Sequence, residues 1–98
     1  MVYNNPIQAT AAATLIASEA EGQMLQGIQW VDIAAADIVD TDELDFTING
    51  VAVNLIVTDV NTQLNGAVAY EVFFPTPIRV YSFVLDGIDG GAIILWLG

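Results

Sequence analysis

The stretch ELDFTINGVAVNLIV, residues 43–57, constrains the fold of this 98-residue chain more than any other. Asn49-Gly50 is a type I′ turn dipeptide, because both central positions of that turn need positive φ and Asn and Gly tolerate it. A two-residue loop fixes the register. It pairs Ile48 with Val51, Phe46 with Val53 and Leu44 with Leu55, and puts these six residues on one face. Thr47 with Ala52, Asp45 with Asn54, and Glu43 with Ile56 share the other. A ribbon that is apolar on one side needs a second layer to cover that side.

The rest of the chain supplies further strands. GIQWVDI, residues 27–33, reads as a strand with Gly27 at a bulge or bend. Residues 67–74 are rich in aromatic and β-branched types, and Pro75-Thr76-Pro77 is expected to stop that strand. Residues 78–85 resume as a strand, and DGIDGG then turns the chain into the closing run GAIILWLG. Asn65-Gly66 fits either a second tight hairpin turn or part of a longer loop from Asn61. Ile38 and Val39 read as a short strand inside the acidic connection AAADIVDTDE. IQATAAATLIASEAE, residues 7–21, suits either an Ala-rich helix or an extended segment; Ala favours helix, while Thr and the strand-rich remainder favour extension. The expected fold is all-β: a small antiparallel β-sandwich or jelly-roll-like barrel over 27–98, with an N-terminal arm or first strand over 1–26.

Composition adds a surplus of apolar material. The chain is 55% hydrophobic and 13% charged, against about 25% charged residues in ordinary domains. The closing run is the extreme case, because Ala92 to Leu97 are all apolar and project to both sides of an extended strand. One side belongs to the core of the sandwich. The other is expected to lie against a sister subunit, since an uncharged, proline-free strand left bare is an aggregation edge.

Charge excludes several functions. Twelve carboxylates face a single basic residue, Arg79, with no Lys and no His. Nucleic-acid binding needs cations to replace phosphate counterions, and attraction to anionic lipid needs them too. No run reaches the ~18 apolar residues of a membrane-spanning helix. The first residues lack the basic start of a secretory leader and are read as part of the mature chain. His, Cys and Lys, the usual acid–base and nucleophilic residues, are all missing, which points away from an enzyme. DIVDTDELD invites a calcium reading, but counting an EF-hand loop from Asp40 puts Leu44 at its fifth position and Asp45 where Gly is required. An irregular Ca²⁺ site at Asp40, Asp42 and Asp45 is not favoured over a solvated acidic turn, and no cofactor is expected.

Three segments in order carry a resemblance: GIQWVDI, then DELDFTINGVAV, then FFPTPIRVYSFVLDGIDGGAIILWLG. The pattern resembles small virion proteins of tailed bacteriophages: an early I-x-W strand, an acid-rich turn with its hairpin, a P-x-P element, an I-x-V-x-x-F strand, a Gly/Asp turn and an apolar closing strand. Here these fall at Ile28 and Trp30, Asp40 to Asp45, Pro75 and Pro77, residues 78–85, and Asp86 to Leu97. The resemblance covers about 70 residues and includes no catalytic motif. It implies a capsid cement or decoration protein, a homotrimer on the outer surface of the virion that clamps the major capsid protein. Another virion β-module, such as a head-fibre base, tail or adhesin-type protein, is the alternative. Tyr3, Trp30, Arg79, Ile94 and Trp96 are the candidate contact residues. Trp30 has core packing as its other reading, and Arg79 a local pair with Glu71 or another carboxylate.

Overall fold

The computed structural model describes residues 3–18, 20–32, 38–57 and 68–98. They form eight strands: β1 (Ile7–Ala9), β2 (Ala13–Ile16), β3 (Gln23–Val31), β4 (Glu43–Ile48), β5 (Val51–Ile56), β6 (Val68–Val80), β7 (Phe83–Ile88) and β8 (Ala92–Leu97). Two four-stranded antiparallel sheets result, with strand orders β1-β8-β3-β6 (sheet A) and β2-β7-β4-β5 (sheet B). Strand one pairs with eight, two with seven, three with six and four with five. That nesting is a jelly roll, a single long ribbon folded at its middle and rolled into a sandwich. Partner numbers add to between 98 and 103 in all four pairings, so Asn49-Gly50 is the bend of the whole ribbon.

The hairpin has the register its turn dictates, with all six pairs from Glu43↔Ile56 to Ile48↔Val51 in place. Asn49 and Gly50 take φ of 50° and 80°, as a type I′ turn demands. The Asn49 side chain does a second job. Its Oδ1 accepts from the main-chain N–H groups of Tyr81 (2.6 Å) and Ser82 (3.3 Å), and its Nδ2 donates to the Arg79 carbonyl (3.2 Å). The bend of the ribbon thereby clasps the corner where β6 of sheet A passes into β7 of sheet B.

Other elements depart from the local reading. Strand β6 runs through Pro75-Thr76-Pro77 instead of stopping there. It lies at the edge of sheet A, where a missing N–H costs no ladder bond. Between the pairs Gly27↔Phe73 and Leu25↔Ile78 the strand bows outward, and Gln26 Nε2 fills the gap with a bond to the Phe74 carbonyl (2.6 Å). The expected strand over 78–85 is two strands, broken at Tyr81-Ser82 where the chain changes sheets. Strand β3 starts at Gln23 and ends at Val31, with a register shift between Leu25 and Gly27 where a bulge was expected. Ile38 and Val39 form no strand; Ile38 is instead a fully buried plug in the core. The early residues are extended, and β1 and β2 edge the two sheets. Asn5 prolongs β1 with its side chain, whose Nδ2 donates to the Leu97 carbonyl while its Oδ1 accepts from Leu97 N–H. Asn65-Gly66, Asn61 and Asp37 lie outside the described residues.

The core lies between the sheets. Leu25, Ile28 and Trp30 of β3 and Ile93 and Leu95 of β8 meet Leu44 and Phe46 of β4 and Phe83 and Leu85 of β7. Phe46 and Phe83 stack with ring centroids 4.9 Å apart. Strand β8 sits inside sheet A, between β1 and β3, so its inner residues are fully enclosed. Removing Leu95–Gly98 should therefore abolish the fold, seen as loss of the β signal in circular dichroism. Asn49→Ala should cost about 1–3 kcal/mol in urea unfolding, from lost clasp bonds and a strained turn. Asn54→Ala, on an exposed face, should cost less.

Candidate interaction surface

The outward side of sheet A is set by strand register. Three rows cross it. Trp96 (β8) pairs with Gly27 (β3) and Gly27 with Phe73 (β6). In the next row Gln8 (β1), Ile94 (β8), Gln29 (β3) and Glu71 (β6) lie side by side. In the last, Val31 and Val68 do, with Ala92 beside Val31 fully buried. Their alternation partners Ile93, Leu95, Ile28 and Trp30 point into the core.

Gly27 shapes this face. A Cβ there would stand 2.3 Å from the Phe73 ring, so the ring lies flat across the strand only because the side chain is absent. Phe73 remains 46% and Val68 45% exposed, while Ile94, Trp96 and Val31 are half-buried. A polar relay crosses the same face. Trp96 Nε1 donates to Gln29 Oε1 (2.7 Å), and Gln29 Nε2 donates to Glu71 Oε1 (2.5 Å). The relay satisfies the indole N–H and ties the one carboxylate in these rows to a neighbouring side chain.

The outward side of sheet B is acidic and internally bonded. Glu43, Asp45 and Thr47 of β4 share it with Asn54 of β5 and Asp86 of β7. Asn54 Nδ2 donates to Glu43 Oε1 (3.0 Å) and to Asp45 Oδ1, and Thr47 Oγ1 donates to Asp86 Oδ2 (2.7 Å). Asp89 Oδ2 accepts from Glu43 N–H (2.8 Å), fastening the β7–β8 turn to β4. Ile56 is the large apolar side chain left exposed there. The two outward faces thus differ in kind: one aromatic and aliphatic, the other carboxylate-rich.

The five candidate contact residues fall in different places. Ile94 and Trp96 share the outward face of sheet A. Trp30 does not: it is 1% exposed, its Nε1 donates to the Gly90 carbonyl (2.8 Å), and it has no surface to give a partner. Tyr3 packs against the core margin, and its hydroxyl accepts from Ala17 N–H (3.0 Å). Arg79 is exposed on the β6 edge opposite Met24, eight residues along the strand from Glu71, too far for the local pair with that residue; a pair with another carboxylate is not seen among the described residues. Phe73, Gln29 and Val68 were missed. Their place on the surface follows from β3–β6 pairing, which carries no local signature in sequence.

The acidic stretch is used for turn chemistry. Asp42 Oδ2 accepts from Val39 N–H (3.0 Å) and Asp45 is engaged by Asn54. Among the described residues no group of three acidic side chains is placed to hold a metal ion. Asp32, just past the end of β3, is buried at 4% exposure, with neither carboxylate oxygen bonded among the described residues. Comparison of the chain with protein-family profiles, with curated proteins and with solved structures gives no match in any of the three.

The relay predicts a spectroscopic difference between the two tryptophans. Gln29→Ala should speed solvent exchange of the Trp96 indole N–H, read by proton NMR, and leave that of the enclosed Trp30 slow. It should lower stability by about 0.5–1.5 kcal/mol.

Proposed function

We propose that this chain is a non-enzymatic structural protein of a tailed-phage virion, of the capsid cement or decoration type. It assembles with copies of itself, as a homotrimer, and binds the major capsid protein on the outer surface of the head. The observation that carries the reading is the pair of opposed faces. A surface holding Trp96, Phe73, Ile94, Val31 and Val68 around one tethered carboxylate suits contact with protein. A carboxylate-rich surface on the other sheet suits water and keeps wrong contacts apart.

Size and energy agree with such a role. A long side of the molecule measures 43 × 22 Å, about 950 Å² in outline, against the ~800 Å² per partner of a standard specific contact. With ~60% of such a contact apolar, both partners together hide about 960 Å², a gross gain of ~24 kcal/mol at ~25 cal/mol per Å². Association costs of about 4–15 kcal/mol and polar desolvation take much of that. One contact holds an oligomer, and several contacts from one oligomer to a lattice reinforce each other through high effective concentration. The jelly roll adds support by analogy of fold, since viral capsid domains use it, although lectin domains do too.

Imaging of purified virions with labelled antibody is expected to place many copies across the head. Heads assembled without the chain should open at lower temperature and recover when purified protein is added. Protein carrying Trp96→Ser with Phe73→Ser should fold and yet fail to restore them. Label confined to one vertex or to the tail would favour another virion β-module, and virions lacking the chain would refute the reading.

A further inference from the structure

The only basic residue of the chain has no carboxylate partner among the described residues, although the sequence holds twelve acids. The Arg79 guanidinium donates through Nη1 to the main-chain carbonyl of Glu21. That bond uses one of the five N–H donors a guanidinium carries. The side chain lines a surface recess of about 370 Å³ together with Ala20, Glu21 and Tyr81. Tyr81 is 45% exposed and gives the recess an aromatic wall. The supporting backbone is held from behind, because the Asn49 side chain bonds the Arg79 carbonyl and the N–H groups of Tyr81 and Ser82. The Arg79–Tyr81 side of the site is thus placed by the bend of the ribbon, and Ala20 and Glu21 come from the connection between β2 and β3.

We infer that this recess is a carboxylate-binding site, filled by an acidic side chain of a second copy of the chain. A guanidinium offers paired, coplanar N–H groups that match the two oxygens of a carboxylate. In a chain of charge −11, nearly every approach of one copy to another sets negative charge against negative. Arg79 is where such an approach becomes attractive, so it sets orientation even where its energy is modest. A second copy brings a suitable partner at exposed Asp40, in the turn that precedes β4. The contact is heterologous, recess on one copy against the Asp40 turn on the next, and heterologous contacts close into rings when the rotation permits. The inference rests on the self-assembly part of the proposed function and names the contact that fixes its geometry.

Sedimentation equilibrium at about 0.15 M salt, where exposed charges interact over ~8 Å, separates the outcomes. The chain is compared with Arg79→Ala, Arg79→Lys and Thr10→Asp, each checked for fold by circular dichroism. Arg79→Ala and Thr10→Asp both move the charge from −11 to −12. Arg79→Ala should weaken association by about tenfold or more, Arg79→Lys by less, and Thr10→Asp little. Should Arg79→Ala fail to fold, Arg79→Lys against Thr10→Asp carries the same comparison. Equal weakening by Arg79→Ala and Thr10→Asp would reduce the effect to net charge and overturn the site. Unchanged association of Arg79→Ala would overturn it while leaving self-assembly standing. A monomeric parent chain would remove both.

Discussion

The Asn49-Gly50 bend is the constraint on which the other features depend, because it sits at the middle of a chain that folds as one ribbon. With partner numbers adding to nearly the same value from β4–β5 out to β1–β8, the turn sets where every later pair begins. Small shifts at Leu25/Gly27, Trp30/Val31 and Thr14/Ile16 adjust the ribbon as it rolls. Asn49 then ties the bend to the corner at Tyr81-Ser82, so the same residue that reverses the chain also locks sheet A to sheet B. One amide side chain serves turn geometry and tertiary closure together.

Rolling the ribbon also decides which side chains meet water. Strand β8 is drawn between β1 and β3, which encloses Ile93 and Leu95 and leaves Ile94 and Trp96 on the outward side. Gly27 lets the Phe73 ring lie over β3, in the row that Trp96 continues on β8, and Gln29 spans from the indole to Glu71. Acidic residues collect instead on β4 and β7, across the sandwich. The segregation lets a strongly acidic chain carry an apolar face without placing like charges around it.

Legibility in sequence followed the range of the interactions. The β4–β5 hairpin was readable pair by pair, because a two-residue turn converts sequence spacing into register. The all-β class and the closing strand followed from pattern and turn residues. Strand β6 was misjudged at Pro75 because proline forbids a central strand and not an edge, and edge position is a property of the finished sheet. The break at Tyr81-Ser82 was hidden for a related reason: IRVYSFVL alternates well enough for one strand, and only the clasp from Asn49, over 30 residues away, marks the crossing. Ile94 and Trp96 were legible as outward residues of a strand apolar on both sides. Trp30 was ambiguous until its alternation phase was fixed by Ile93 across the ladder. Phe73 and Gln29 had no local signal at all.

In the proposed assembly the outward face of sheet A is covered while that of sheet B stays wet. Hydroxyl-radical footprinting, read by mass spectrometry on dispersed and assembled protein, addresses it residue by residue. Trp96 and Phe73 should oxidise markedly more slowly in the assembly, with exposed Ile56 unchanged. Protection on Ile56 with Trp96 and Phe73 left reactive would contradict that arrangement.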